Sequence, residues 1–410
     1  MKLSCDIVIV GAGAGGLLLA LALEGKGYSV IIIDRQAGPM KSSRRGELLQ
    51  PCGIKILDRF GLLGLIRSGG AHETHRFHFI RIGGSRISSM DYRQLPSPYN
   101  YAMITQPHIV QSAILDRLTN VRQVEILWNT IFTGLRWDGS RIGGIRTMHN
   151  NQEVEIEAFL VIGADGAGSA VRKAMDIPYE LYSYRDSYFT MLLDRPPGFD
   201  RDARLYVGRR QILGLFPVSN EKLYLFYMIP DVEVPDYQKR GLEDFKNRLT
   251  AIDSSLRDSV KSLDSWEQVA RMPCYRVTAR NWVMGGIALM GDAVHAMNPH
   301  MAQGRNQAMA DAITLAPTIE SCFKRTDFSS EALLHYELVR KPTTRVLQKM
   351  GDELTWLWNT GNPLLARLRD RILKNIGQNP RLSRKTLFTI SGLAPQPFSL
   401  LDRLTALGIK

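Results

Sequence analysis

Cysteine is scarce in this chain: four residues in 410, Cys5, Cys52, Cys274 and Cys322, stand far apart with no CxxC pair among them. Such sparseness excludes a disulfide framework and a thiolate metal site, so no metal is expected. Apolar runs of about 20 residues are also missing, which excludes a membrane-spanning helix. The N-terminus imitates a signal peptide, because Lys2 precedes two apolar runs. Asp6 and the glycines from Gly11 to Gly16 break that stretch, which reads as strand, turn and helix instead. A cytoplasmic location follows as the expectation. Internal repeats, low-complexity segments, zinc fingers, RNP motifs and long basic tracts are all absent. The formal net charge is +12, yet the basic residues are scattered, so nucleic acid is not an expected partner. An anionic ligand or an acidic membrane surface accounts for the excess. What is present is an ordinary globular composition, 44% hydrophobic and 22% charged, in a chain long enough for two closely connected domains.

The first informative segment is Cys5-Asp6-Ile7-Val8-Ile9-Val10, a β-branched run with the character of a buried parallel strand. It leads into a GxGxxG turn at Gly11, Gly13 and Gly16; residues 17–23 then read as an apolar helix ended by Gly27. A second strand, 29–33, delivers Asp34 at its tip, followed by Arg35. In such a unit the first glycine permits the tight turn, the second lets backbone approach a pyrophosphate, and the third lets helix and strand pack closely. The helix start offers free N–H groups to phosphates, and Asp34 is placed to accept from a ribose hydroxyl. Alone, the glycines also fit a turn in any α/β protein. Strand, turn, helix, strand and acid in this order point to dinucleotide binding, without separating FAD from NAD.

Two later motifs bear on that choice. Residues 160–163 read as a strand ending at Ala164-Asp165-Gly166, with Ser169 and Arg172 beyond; an N-capped helix after a tight turn explains this equally well. Residues 287–290 read as a short buried strand entering Gly291-Asp292-Ala293-Val294-His295. The chain continues through Asn298-Pro299 to Gln303-Gly304-Arg305-Asn306 and a helix with Ala308, Asp311 and Ala312. Asp292, at a strand end, suits ribityl hydroxyls. The loop and helix start after it can aim N–H groups at the flavin edge where charge gathers on reduction. His295 reads as a structural hydrogen-bonding residue.

With GxGxxG, a central DG and a late GD followed by Pro and a GQGxN-like stretch, the chain resembles the class A flavoprotein monooxygenases, typified by para-hydroxybenzoate hydroxylase. The motifs span most of the first 312 residues. The resemblance implies FAD at Gly11, Gly13, Gly16, Asp34, Arg35 and Asp292, with Pro299, Gln303, Gly304 and Asn306 in the late loop. Asp165 would sit where that family couples flavin and nicotinamide contacts. Arg44-Arg45-Gly46-Glu47-Leu48-Leu49-Gln50-Pro51 looks like the matching stretch of squalene epoxidase and the alkylquinolone monooxygenases. Arg45 is the candidate there for flavin or nicotinamide contact, and Gln106 stands where relatives often direct Arg or Gln toward FAD. A surface cation and a helix-start polar group are the plain alternatives. The chain departs from the pattern at Ala302, where glycine is usual, and at His300-Met301.

The implied fold is α/β: a Rossmann-type FAD-binding domain (1–75, 100–182 and 275–350) interleaved with an antiparallel-sheet substrate domain (76–99 and 183–274). A helical C-terminal segment (351–410) follows. Residues 186–193 and 203–230 alternate as strands, with a hairpin through Ser219-Asn220 and a covering helix at 241–263. Phe216, Tyr224 and Phe226 are candidates for the substrate pocket, against the commoner fate of core packing. In the tail, Leu365, Leu368, Ile372 and Ile376 share one helical face while Arg367, Arg369, Arg371 and Lys374 are interleaved. Such a helix lies on an anionic membrane or packs on its own protein with a solvated cationic face. The implied activity is NAD(P)H- and O2-dependent hydroxylation or epoxidation of a small hydrophobic substrate, aromatic, quinolone-like or isoprenoid. The cofactor carries the chemistry, so no catalytic side chain is assigned. No second GxGxxG occurs, which fits transient nicotinamide binding. A related FAD-dependent halogenase or reductase and a non-catalytic binding protein of the same fold are the alternatives; the WxWxIP halogenase motif is absent.

Overall fold

The structure, a computed structural model, describes every residue except Arg44 and Lys410. Strands that are apolar on both faces need cover on both faces, and the first sheet is built that way. Lys2–Val10, whose last four residues are buried, pairs in parallel with Gln152–Gly163 on one side and Val30–Ile33 on the other. Val124–Leu127 extends the sheet beyond Val30–Ile33, and Ile287–Leu289 extends it beyond Gln152–Gly163. Thr130–Asp138 and Arg141–His149 add an antiparallel branch. The register matters for function. Val10 lies opposite both Gly163 and Ile33, and Gly163 lies opposite Leu289. The glycine turn, Asp34, the DG turn and the GD turn therefore leave the sheet at one edge, the carboxyl end of its parallel strands, where open α/β sheets bind ligands.

The helix after the glycine turn runs Ala14–Ala22, earlier at both ends than the apolar pattern of 17–23 and Gly27 suggested, since Gly13 already takes the N-cap position. It packs on the long helix Gly304–Arg325, and a Cβ at Gly15 would stand only 3.2 Å from the Ala308 Cβ.

The second sheet has seven strands in the order Ala270–Ala279, Tyr179–Asp194, Lys222–Pro230, Ile212–Pro217, Ala203–Val207, Arg76–Arg81 and Arg86–Asp91. It is antiparallel except where Ala203–Val207 runs parallel to Arg76–Arg81. The hairpin expected through Ser219-Asn220 is present, with Ser219 Oγ accepting from the Glu221 and Lys222 N–H groups. Period-two alternation sorts its side chains: Leu223, Leu225 and Tyr227 join one core, while Tyr224, Phe226 and Phe216 turn to the other face. Gly214 allows this, because a Cβ there would lie 2.3 Å from the Phe226 ring. The covering helix is shorter than 241–263. It spans Leu242–Ile252 and gives way to 3-10 turns at Ser254–Arg257 and Ser259–Ser262. Asp253 ends it by accepting from the Ser255 N–H and the Tyr206 hydroxyl.

Helices Pro363–Gln378, Pro380–Ile390 and Leu400–Leu407 form the tail, and no described helix is long and apolar enough to cross a membrane. The interleaved arginines are not uniformly solvated. Arg369 is 2% exposed and donates to the Gly208 and Trp358 carbonyls and to Asp370, which also accepts from Arg81 of the second sheet. Burying a guanidinium is tolerable only with its charge matched and its donors occupied. Asp370→Ala should therefore cost about 3–5 kcal/mol by leaving Arg369 buried without a counter-charge. Urea denaturation would register the loss, and limited proteolysis should cut first in the tail; an unchanged urea midpoint would show that Arg369 finds water instead.

Candidate active site

Backbone geometry at the glycine turn leaves little freedom for side chains. Gly11 has φ +114°, and a Cβ there would stand 2.4 Å from the Ala164 carbonyl oxygen; at Gly16 it would stand 2.2 Å from the Gly11 oxygen. Gly13 is different, with nothing within 4 Å of the same position, so the backbone there lies open to a ligand. Asp34 accepts from the Ala12 and Gln36 N–H groups at 2.8 Å each, tying the second strand tip to the turn. Gln111, which the sequence reading passed over, donates to the Ala12 carbonyl at 2.9 Å and accepts from the Met40 N–H. Arg35 is exposed beside Asp34.

Asp165 spends its carboxylate on the Ser169 hydroxyl and on the Ala170 and Val171 N–H groups, which caps the helix Ala170–Ala174. Arg172, 1% exposed, bonds the Ala293 and Ala167 carbonyls and so joins the DG turn to the GD turn. At the GD turn, Asp311 accepts from the Gly291 N–H at 2.8 Å, from His295 Nε2 at 2.6 Å and from Arg340 Nε at 2.7 Å. Arg340 continues to the Gln307 side chain, Gln307 donates to Gln303, and Gln303 reaches the Ile390 carbonyl in the tail. Burial and the two neighbours act oppositely on Asp311, and His295 and Arg340 hold its carboxyl below the ordinary range.

Above this edge lies a cavity of about 360 Å³, within the range that takes small organic ligands. Phe77, Phe79, Tyr188, Phe216, Tyr224 and Phe226 form its aromatic wall, with the Phe216 and Phe226 rings stacked 5.6 Å apart. Phe216, Tyr224 and Phe226 thus line the cavity and at the same time pack in a core cluster. Leu373, Ile376, Thr386, Ile390 and Phe398 close it from the tail, and Met350, Leu354 and Trp358 from the helix Ser330–Trp358. Asp292 lines the cavity, half-buried and with no hydrogen-bond donor among the described residues; burial raises its carboxyl against the pull of His295 and Arg305. A carboxylate so placed calls for hydroxyl or N–H donors from a ligand.

Arg45, Asp292, Pro299, Gln303 and Gly304 join the aromatic trio in the lining, whereas Gly11, Gly13, Gly16, Asp34, Arg35, Gln106 and Asp165 lie outside it. Asn306 braces it from behind, accepting from the Gln50 N–H and donating to the Leu48 and Ala302 carbonyls. Gln106 donates to the Ser43 carbonyl at 2.7 Å, which holds the segment leading to Arg45. Arg45 itself is exposed, and its charge opposes the burial-driven rise of the Tyr224 hydroxyl. Tyr188, Leu373, Thr386, Ile390 and Phe398 carried no signal in the sequence because only folding brings them here, while Gln50 and Ile376 stood out only as parts of a motif and of an apolar helix face. His300-Met301 did carry a signal, as the unusual neighbours of Pro299. Among the described residues no cluster of His, Cys, Asp or Glu is arranged to hold a metal, and all four cysteines are buried free thiols.

The family described as FAD binding domain matches residues 4–349. The chain is 30% identical over 344 residues to 6-methylpretetramide 4-monooxygenase of Streptomyces rimosus, covering 83% of this chain and 81% of that protein. It is 27% identical over 409 residues to ubiquinone hydroxylase UbiL of Rhodospirillum rubrum, covering 96% and 91%. Its fold is that of p-nitrophenol 4-monooxygenase PnpA from Pseudomonas putida DLL-E4, with a TM-score of 0.81 at 21% identity over 96% of this chain and 98% of that one.

Ala302 stands in the late loop with φ 50° and ψ 44°, the left-handed region, as the C-cap of the 3-10 turn Pro299–Met301. The loop therefore keeps a conformation that favours glycine and carries an alanine in it, at a cost of about 1 kcal/mol. Ala302→Gly should relieve that strain, stabilising the fold by up to about 1 kcal/mol and raising the denaturation midpoint. The flavin absorbance should shift with it, since Ala302 lines the cavity. A lowered midpoint would mean that the methyl's packing outweighs the strain.

Proposed function

The chain belongs to the FAD binding domain family, and on that premise we propose how its cavity is used. The protein is an FAD-dependent monooxygenase that uses NAD(P)H and O2 to hydroxylate or epoxidise a small hydrophobic substrate. The observation that carries this reading is the junction at the sheet edge: the open glycine turn, the Asp292 carboxylate, unpartnered among the described residues, and the aromatic cavity follow one another along it. The relatives reported above are by name monooxygenases or a hydroxylase, which supports oxygen insertion.

The residues present fit FAD. Gly11 and Gly16 make the turn tight and Gly13 leaves its backbone bare, so phosphates can approach the N-terminus of Ala14–Ala22. Asp34 would take an adenosine ribose hydroxyl, with Arg35 beside it. Asp292 would accept from ribityl hydroxyls, and Pro299, Gln303, Gly304 and Asn306 would shape the late loop around the ring. Bound FAD supplies the redox chemistry, accepting hydride from NAD(P)H and activating O2. The chain's own contribution is placement and dryness. The Phe216, Tyr224 and Phe226 wall presents an apolar aromatic surface to the substrate, and the tail side chains Leu373, Ile376 and Phe398 exclude water that would divert oxygen from it. Arg45, exposed at the cavity, would attract the anionic nicotinamide cofactor. A closing role for the tail is supported by these contacts; the membrane reading gains nothing from a stripe whose Leu365, Leu368, Ile372 and Ile376 are half-buried.

The purified protein should be yellow and should release FAD on denaturation. Asp292→Ala should weaken FAD retention by about 0.5–1.5 kcal/mol for each hydrogen bond lost, measured by equilibrium dialysis of the flavin. With a turned-over substrate, NAD(P)H and ¹⁸O2, product should gain one labelled oxygen; label drawn from water would defeat the monooxygenase reading.

A further inference from the structure

The cavity wall is largely aromatic and aliphatic; of its internal polar pairs, Tyr92 with Gln50 and Arg305 with Glu47 satisfy each other, and a third lies among the aromatic rings. Tyr188 and His300 both line it, and the Tyr188 oxygen lies 2.6 Å from His300 Nδ1. Tyr188 comes from the strand Tyr179–Asp194 and is 3% exposed; His300 comes from the 3-10 turn Pro299–Met301, with its backbone N–H held by the Asn298 side chain at 3.1 Å. Around them stand Phe226, its ring 5.0 Å from Tyr188, and Trp358, its ring 5.6 Å from His300.

The hydrogen-bond arithmetic of this pair assigns the tautomer. If Nδ1–H donated to the tyrosine oxygen, the phenol hydrogen would be left without an acceptor in an apolar setting. If Tyr188 donates to Nδ1, every buried hydrogen of the pair is used and the remaining one sits on Nε2. That nitrogen has no partner among the described residues, yet it is absent from the buried polar atoms left without one, so it keeps surface toward the cavity. Burial pushes the His300 imidazole down to about 3, so the ring is a neutral donor and too weak a base to take a proton from a bound hydroxyl.

We propose that His300 determines specificity by donating its Nε2–H to a hydroxyl or carbonyl oxygen on an aromatic substrate, and that Tyr188 is its positioning residue, fixing tautomer and ring orientation. This rests on the monooxygenase reading for the presence of a substrate and goes beyond it by stating what the substrate carries. A ligand that buries the Nε2–H against the aromatic wall without pairing it is penalised, so a hydrocarbon of the same shape loses and an oxygenated one gains.

The test uses FAD-loaded protein and two probes of matched shape, 2-naphthol and 2-methylnaphthalene, titrated while the flavin absorbance is followed. The readout is the ratio of their dissociation constants, which cancels changes in cavity size. His300→Phe should shift the ratio toward the hydrocarbon by about threefold to tenfold, the size of one net hydrogen bond. His300→Gln, which retains a donor, should recover part of it. Tyr188→Phe should shift the ratio in the same direction by less, whereas a merely structural tyrosine would lower the thermal midpoint and leave the ratio alone. An unchanged ratio in His300→Phe overturns the proposal, and so does a flavin-loaded wild type that responds to neither probe. Failure of the underlying reading looks different: a protein that takes up no flavin at all.

Discussion

Asp311 has no exposed surface, and its carboxylate receives a backbone N–H from the GD turn, the imidazole of His295 and the guanidinium of Arg340. A charge buried this completely is tolerable only when every lone pair is used, and removing one partner from such a cluster costs about 3–5 kcal/mol. The geometry is therefore held tightly. It sets where Gly291 and Asp292 leave the first sheet, where the helix Gly304–Arg325 begins, and where the helix Ser330–Trp358 crosses it. Through Gln307 and Gln303 the same cluster reaches the Ile390 carbonyl, so the tail that closes the cavity is referenced to the loop at its base.

A water-excluding site needs its floor and its lid in register, and two different kinds of interaction supply this. On the floor side the restraints are polar and directional: Asn306 on Gln50, Leu48 and Ala302, Arg172 on Ala293, and the Arg305–Glu47 ion pair. On the lid side they are largely apolar, with Arg369 and Asp370 as the polar pin that docks Pro363–Gln378 against the second sheet. Directional bonds fix the parts that must meet a cofactor to within a fraction of an ångström. Apolar packing tolerates substitution, so this side of the cavity is the less constrained one.

The strained alanine belongs to the same economy of constraint. A left-handed residue persists where its surroundings over-determine it, and Ala302 is so placed: its carbonyl accepts from Asn306 and the preceding Met301 carbonyl accepts from Gln50. The same turn carries His300 into the cavity. Backbone strain, cavity-lining loop and polar wall residue are thus consequences of one short segment, Pro299–Met301 with its cap.

What the sequence by itself determined was local and periodic. The β-branched strand, the glycines at Gly11, Gly13 and Gly16, Asp34 at a strand tip and the strand-to-turn transitions at Asp165 and Asp292 are decided by backbone sterics and by near-neighbour hydrophobic pattern, so they can be read along the chain. Even there the helix at 241–263 was overestimated, because Asp253 ends it through a bond to Tyr206, 47 residues away. Tertiary structure alone decided the rest. The same period of two that makes Phe216, Tyr224 and Phe226 strand residues does not say which face meets a cavity and which a core; the pairing of Gly214 with Phe226 and the arrival of the tail decided that. Arg369 looks like a surface cation until Asp370 and two carbonyls enclose it. Tyr188 and His300 lie 112 positions apart and become one hydrogen-bonded unit only when the second sheet is laid over the late loop. Sequence patterns report what a residue does to its own backbone, and long-range packing decides what it touches.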